Sequence, residues 1–535
     1  VAVCISAAFE EKEIKKILET GLSYIPSDCE YAKIVRTVME FYEEHPQNWR
    51  DCFAYIHANY GYDKYPGNCH IIPNIAVMIL ALLYGNGDFS DTIAIVTMCG
   101  WDTDCNGGNV ATIIGVRNGL EGIDYDRWRK PVHDLLVCSS VIGSLNIMDI
   151  PYGALYIGKM AYELAGEELP EPWKELAEKR IHSCHFEFPG STHSMQIRVD
   201  SVTDEKDPIT RECCVCNTDE SAHSGSRSLK ATAVPVNSGE RVFVYQKTYY
   251  EPKDFHDSRY DPCFSPLVYP GQTVHGSVML PEYAGEADCS LYVRDLRSGK
   301  IFTGKSVRLK KGCWQELSFQ IPSWEGALIG EMGVCFDLLM GTEATQTFAG
   351  LLDDLWADGT PDYRIDFCQE TTEVWTGLHK EVSQFTRLKG HLYLDQGALH
   401  LSCADFGEAY TGRYDWKDYT AVFEMTPLTG ENMVNVRVQG AIRSYAVALL
   451  ADSKIALLKN ENGYRVLTET AFDWKAGRDY EVSVCAQGAR LHAEIKEVPV
   501  GCRQNQQLQT ETAVLEYEDT DHPYLQGAVG VSVRN

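Results

Sequence analysis

The sequence predicts a multidomain protein, an all-α domain followed by two antiparallel β-sandwiches. Three observations lead there. The 535 residues exceed what a single core ordinarily supports, so about two to four domains are expected. Through the first part of the chain, apolar residues recur every three or four positions, the period of a half-buried helix. Near His182 the period changes to two, aromatic and β-branched residues are enriched, and turn signals recur roughly every 8–12 residues. The expected boundaries are 1–181, 182–366 and 367–535.

In order, the helical period marks Glu10–Thr20, Cys29–Glu43, Trp49–Ala58, Ile75–Leu83, Asp91–Cys99, Asn109–Leu120 and Tyr125–Leu136. Pro73 is expected in the first turn of its helix, where a missing N–H costs little. Asp88 and Asp91 read as helix-start carboxylates, with Ser90 as the cap. Pro170 and Pro172 interrupt the next stretch, and WKELAEKRI closes the helical part. Strands of the first sandwich are expected in HSGSRSLKATA, TVHGSVML, SLYVRDL, GCWQELSFQIP, MGVCFDLLM and TFAGLLDDLWADG. Those of the second are expected from GHLYLDQGALHLS to LQGAVGVSV.

The formal charge of −28 comes from 48 basic and 76 acidic residues, and such a surface repels nucleic acid and anionic lipid alike. No nucleic-acid or membrane partner is therefore expected. The longest apolar run, IIPNIAVMILALLY, is broken by Pro73 and Asn74. Nineteen cysteines, without repeating spacing and mostly in apolar contexts such as Cys4, Cys99, Cys138 and Cys335, fit reduced thiols and a cytoplasmic location. Cys213, Cys214 and Cys216 read either as a soft-metal clip or as an inert loop. In KDFHDSRYD, Asp254, His256 and Asp257 are metal-capable side chains or a solvated polar loop.

The densest chemistry lies in GWDTDCNGGN, residues 100–109. Two carboxylates one residue apart, then Asn and two glycines, suit either a capped turn or a hard divalent cation, which prefers oxygen ligands. Residues i and i+2 do not share a helix face. Asp102 and Asp104 therefore converge only where the backbone bends. Gly107 and Gly108 are expected to permit that bend, with the next helix starting near Asn109.

This segment, together with IPSDCEYAKIV, the amphipathic Trp49–Tyr60 stretch and the HIIPN loop, resembles the C-terminal half of the ADP-ribosylglycohydrolase family. Its members carry a G-x-D-T-D-x motif, and the resemblance covers about residues 1–165. It implies an all-helical domain, N-terminally incomplete here, with a site for two divalent ions, by that resemblance Mg²⁺. It also implies Asp102 and Asp104 as metal ligands and catalytic residues, and Asn68, His70, Asn106 and Gly107 as substrate-binding residues. For His70, Asn68 and Asn74 a purely structural role stays equally open. Many relatives have Thr at the position of Cys105. Sulfur is a poor match for Mg²⁺. Cys105 is therefore expected to point elsewhere, with Asn106 or water in its place. The remaining ligands and the general base are expected ahead of Val1, and this chain alone is expected to be nearly inactive.

The implied reaction is hydrolysis of an N- or O-glycosidic bond to a ribose-like sugar, on a small-molecule or ADP-ribosylated substrate. Two alternatives remain: a glycosidase acting on a carbohydrate or nucleoside-like glycoside, and a non-catalytic glycan-binding protein. The 182–366 segment resembles carbohydrate-binding-module jelly rolls. There Asp353 and Asp354 either hold a structural Ca²⁺ or place one carboxylate in solvent and the other on a turn. The 367–535 segment resembles laminin-G/concanavalin-like sandwiches. Trp314, Trp324, Trp356, Trp375, Trp416 and Trp474 are sugar-stacking candidates or core residues.

Overall fold

A computed structural model describes residues 1–179, 183–200, 210–255, 262–339, 346–375, 379–498 and 511–535. The chain forms two compact units, Val1–Val132 and His133–Asn535. No helix among the described residues is long and apolar enough to cross a membrane. The described cysteines are all free thiols.

The first unit is helical: α1 Ala2–Ala8, α2 Ile14–Ser23, α3 Glu30–Glu44, α4 Trp49–Tyr60, α5 Ile71–Tyr84, α6 Phe89–Met98 and α7 Thr103–Asn118. Every residue of α5 from Ile72 to Tyr84 is buried. A helix that is apolar all round belongs inside, and α5 packs against α3, α4, α6 and α7. Full burial of each of its Ile and Leu side chains contributes about 1.5–3 kcal/mol. Side-chain caps start the neighbouring helices. Asn48 accepts from Arg50 N at 3.1 Å before α4, and His70 Nδ1 accepts from Ile72 N at 3.2 Å before α5.

Four local expectations are corrected here. Asp88, not Ser90, caps α6, accepting from Asp91 N at 2.7 Å. Ser90 Oγ instead accepts from Trp128 Nε1 at 2.8 Å. The first predicted helix starts at Ile14 rather than Glu10. The expected helix over 125–136 is a π-turn at Tyr125–Arg129, a short helix at Lys130–Val132 and then a strand at Leu135–Val137. His133 and Asp134, at φ 53° and 56°, break the helix between them. Finally, α7 begins at Thr103, six residues before the expected Asn109.

The second unit opens with that strand, paired antiparallel to Ile147–Asp149, and a helix at Ile150–Ala165. The Asp149 carboxylate caps this helix through Tyr152 N at 2.7 Å and also accepts from the buried His193 Nδ1 at 3.1 Å. A β-sandwich follows. One sheet orders Ile301–Thr303, Ala287–Asp295, Ile329–Leu338, Arg241–Lys247 and Gln196–Asp200. The other orders Gln315–Gln320, Thr273–Met279, Gln346–Asp358, Ser228–Val236 and Glu212–Thr218. Val244, Leu291 and Val334 of the first meet Leu229, Val278 and Leu352 of the second in one apolar core. The Cys213–Cys216 segment is part of the Glu212–Thr218 strand, not a loop.

In the second sandwich a seven-stranded sheet runs from Thr386–Lys389 to Tyr464–Ala471, with the closing strand Ala528–Arg534 in its interior. It faces a four-stranded sheet ordered Tyr419–Met425, Asp479–Gln487, Arg490–Val498 and Thr512–Glu518. Val436, Leu457, Val484 and Ile495 fill the space between them. The strands alternate because one face of each sheet is buried against the other. The two-residue period therefore reads through to the layers.

Candidate metal centre

The bend that brings the two carboxylates together lies ahead of α7. Gly100 sits at φ 72°, and Asp102 adopts the left-handed conformation at φ 45°, ψ 53°. Asp102 is the N-cap residue of α7, and Asp104 lies in the first turn. Oxygen atoms of Asp102 and Asp104 and the Cys105 sulfur all lie within 4.8 Å of one another. Among the described residues this is the one group of three or more such side chains so arranged. The helix N-terminus favours negative charge at this point.

Three neighbours fix the cap residue. Trp101 is bracketed by Phe53 at 5.2 Å, Tyr62 at 5.0 Å and His57 at 5.6 Å between ring centroids. Tyr62 donates its hydroxyl to Asn74 Oδ1 at 2.5 Å, and Asn74 Nδ2 donates to Asp102 Oδ2 at 2.5 Å. Asn74 is the polar residue of the otherwise apolar, buried α5 run. A buried amide is expected to be hydrogen-bonded, and this one spends both ends on the Tyr62–Asp102 line. Burial, then the Asp102 charge, then Cys69, push the Tyr62 hydroxyl up to about 12, so it remains a donor. Such supporting hydrogen bonds orient a ligand and set its basicity.

Cys105 corrects the expectation. Its thiol hydrogen-bonds the Asp102 carboxylate rather than pointing away, and that bond first, then the charges of Asp102 and Asp104, raise its pKa. Cys69, in the loop before α5, also hydrogen-bonds Asp102. Partial desolvation, followed by the Asp102 charge, raises that thiol too.

The other expected site residues fall as follows. Asn106 is buried, 1% exposed, and its amide donates to the Trp101 carbonyl at 2.7 Å. Its amide nitrogen thus closes the turn. Gly107 and Gly108 lie inside α7 and make no bend. A Cβ added at either would meet no atom within 4 Å, so the helix face beside Asp104 is open. His70 is the cap of α5, its ring 5.0 Å from Tyr65. Asn68 is exposed in the preceding loop. Sequence reasoning missed Tyr62 and Cys69, which approach Asp102 only in the folded chain. A cavity of this unit, about 610 Å³ and lined by Lys12, Lys15 and Arg117, lies at the far end of α7. At 1.5 Å rise per residue that is roughly 20 Å from Asp104.

In the first sandwich, Asp353 and Asp354 are both buried, which corrects the expectation of one solvent-facing carboxylate. Asp353 accepts from His223 N, Ser224 N and Asp354 N at 2.8–3.1 Å. Asp354 accepts from Ser224 Oγ at 2.9 Å and contacts His223 Nδ1 at 2.8 Å. Three of the four carboxylate oxygens thus tie down the loop at 223–224, and the fourth, Asp353 Oδ1, accepts from the Asp354 backbone. Burial, then the neighbouring Asp354 charge, raise Asp353 to about 7. Asp254 closes a short turn through Glu251 N at 2.9 Å; His256 and Asp257 lie outside the described residues. Trp375 and Trp416 are core residues, and Trp356 stacks on His275 at 4.1 Å. Trp324 stacks on Phe302 at 4.2 Å, Trp314 lies 5.9 Å from His223, and Trp474 donates to Leu450 O. A different aromatic surface stands out on the hairpin His391–Asp395/Ala398–Ser402. There the exposed Tyr393 ring is stacked between His391 at 5.0 Å and His400 at 4.9 Å.

Residues 1–153 match the family model described as ADP-ribosylglycohydrolase. No curated protein matches the chain. Among solved structures, the chain is similar to a carbohydrate-binding module of the β-sandwich superfamily. That likeness has 16% identity and a TM-score of 0.25, covering 33% of this chain and 60% of the other. It is also similar to carbohydrate-binding module CBM66 from Bacillus subtilis, at 16% identity and a TM-score of 0.24, over 28% of this chain and 88% of that one. A tandem CBM22 domain from Paenibacillus barcinonensis matches at 11% identity and a TM-score of 0.22, over 66% of this chain and 89% of that one. Similarity at this level assigns no ligand to the present chain.

Proposed function

We propose that the protein is a divalent-cation-dependent hydrolase that cleaves a glycosidic bond to a ribose-like sugar, with the β-sandwiches as glycan-binding modules. The observation that carries the reading is the convergence of Asp102 and Asp104 at the start of α7, inside the segment that matches the family model. The donor set fits a divalent cation in its two carboxylates. A divalent cation, when bound, supplies Lewis-acid polarisation and a template for substrate hydroxyls. Asp102 and Asp104 would hold it.

The chain's own residues contribute the rest. Tyr62 and Asn74 hold the Asp102 carboxylate in one orientation. The open face over Gly107 and Gly108 leaves room for a sugar ring beside Asp104. Glycosidic cleavage builds oxocarbenium character, and fixed negative charge next to the ring stabilises it. For the sandwiches, support comes from the exposed Tyr393 stack, since a flat aromatic face suits the apolar face of a sugar.

Hydrolysis of ADP-ribosyl-arginine and of simple glycosides tests the reading, with divalent cation and with chelator. Chelator-sensitive release of ADP-ribose is the expected result. Release from simple glycosides alone would favour a carbohydrate substrate. Chelator-insensitive rates, unchanged by Asp102→Asn, would place the chemistry outside this cluster.

A further inference from the structure

Ile71 is the exception in α5. Residues 72–84 of that helix are buried, whereas Ile71, in its first turn, is 60% exposed. Its place relative to the site follows from Asn74. Residues three apart share a helix face, and a helical side chain covers the turn N-terminal to its own Cα. Asn74 Nδ2 meets Asp102 Oδ2 at 2.5 Å, so the Asp102 carboxylate lies against α5 at the level of Ile71. One exposed apolar residue is ordinary on a surface. This one continues into a wall. Tyr62, which donates to Asn74 Oδ1, has its ring 5.0 Å from Trp101, and His70 has its ring 5.0 Å from Tyr65. The α7 side is bare: Gly107 and Gly108 share a face with Asp104 and bring no side chain.

We propose that Ile71 is a specificity-determining residue that contacts the group attached at the sugar's anomeric carbon and selects an apolar one. The proposal rests on the reading above that the cluster holds and cleaves a glycoside, and it adds the class of leaving group. With the sugar ring on the bare side beside Asp104, its substituent extends past Asp102 to Ile71 and the rings behind it. An apolar substituent there removes its own surface and that of Ile71 from water. A charged one gives up its hydration at aliphatic carbon, which offers no hydrogen bond in return. The contact is made before any bond breaks, so it acts through KM rather than kcat.

The test titrates the purified chain, with Mg²⁺ present, against phenyl and methyl β-D-ribofuranoside, which differ only in the attached group. The phenyl riboside is expected to bind about tenfold tighter, the discrimination that a modest apolar contact supplies. Ile71→Ser should bring the two affinities together by weakening the phenyl riboside alone. Ile71→Leu should keep the difference. Tyr24→Ser, at an exposed position at the end of α2, should leave it unchanged. Where the phenyl riboside is cleaved, Ile71→Ser raises KM and keeps kcat. Ile71 is largely exposed, and equal melting of the variants checks the fold.

Equal affinities for the two ribosides, no binding of either, or a phenyl preference that survives Ile71→Ser would each overturn the proposal. Chelator-sensitive cleavage of both ribosides at equal KM would leave the hydrolase reading standing while this proposal fails. A phenyl preference that depends on Ile71, with neither riboside cleaved, would do the reverse.

Discussion

Asp102 has a backbone task and a side-chain task, and they can be separated. Its left-handed conformation is one that Asn shares readily, whereas most side chains pay roughly 1–2 kcal/mol there. Asp102→Asn is therefore expected to keep the melting temperature and lose cation affinity and hydrolysis by orders of magnitude. Asp102→Ala is expected to lose stability as well; equal melting of all three proteins would refute the backbone argument. A second residue-scale expectation concerns Glu373, which accepts from Tyr249 at 2.6 Å. Burial, against that hydrogen bond and with the charges of Glu251 and Glu370, raises it from 4.5 to about 7. The folded state then holds the proton more tightly than the unfolded chain. Its stabilisation is complete below pH 4.5, falls as pH rises toward 7 and is flat above that. Glu373→Gln keeps the Tyr249 bond and should flatten this slope in melts across that range, by at most about 3 kcal/mol. At this scale the sequence exposed Asp102 and Asp104 through their spacing. It hid Tyr62, Cys69 and the true direction of Cys105, because only tertiary packing brings those side chains to one point. Asn74 left a trace, a single amide in an apolar run.

At the scale of elements, α7 carries two glycines in its first two turns. Glycine inside a helix costs about 1 kcal/mol relative to alanine. The pair suggested a bend, yet the buried Val110, Ile113 and Ile114 anchor the helix beyond them, and packing overrides the propensity. Because a Cβ at Gly108 meets nothing, Gly108→Ala is expected to raise stability by about 0.5–1 kcal/mol. If the open face receives substrate, the same variant loses turnover, chiefly through KM. A stabilised variant with unchanged kinetics would mean the open face is not where the sugar sits. Helix and strand types were legible in the sequence, since each follows from one buried face. The 125–136 stretch was not, because its period is broken by two residues in left-handed backbone, a conformation that His and Asp do not announce.

At the scale of the whole molecule, the two compact units have separate cores, so calorimetry is expected to resolve at least two unfolding transitions. Cation should raise the one belonging to the helical unit, and a bound oligosaccharide the one belonging to the sandwiches. A single transition moved equally by both additions would contradict separate units. The change of period near His182 told helices from strands. It did not tell that the helix Ile150–Ala165 packs within the strand-rich unit, since a 3.6-residue period identifies a buried face without naming what covers it.

Trp101 adds an optical consequence. Its indole is half-buried, boxed by three rings, and joined by one peptide bond to the cap residue of the cluster. Any ion or sugar that shifts Asp102 must also shift the field and the solvent felt by that ring. The protein thus carries its own fluorophore at the one point where loading is to be observed, and the emission difference against Trp101→Phe isolates it from the other indoles.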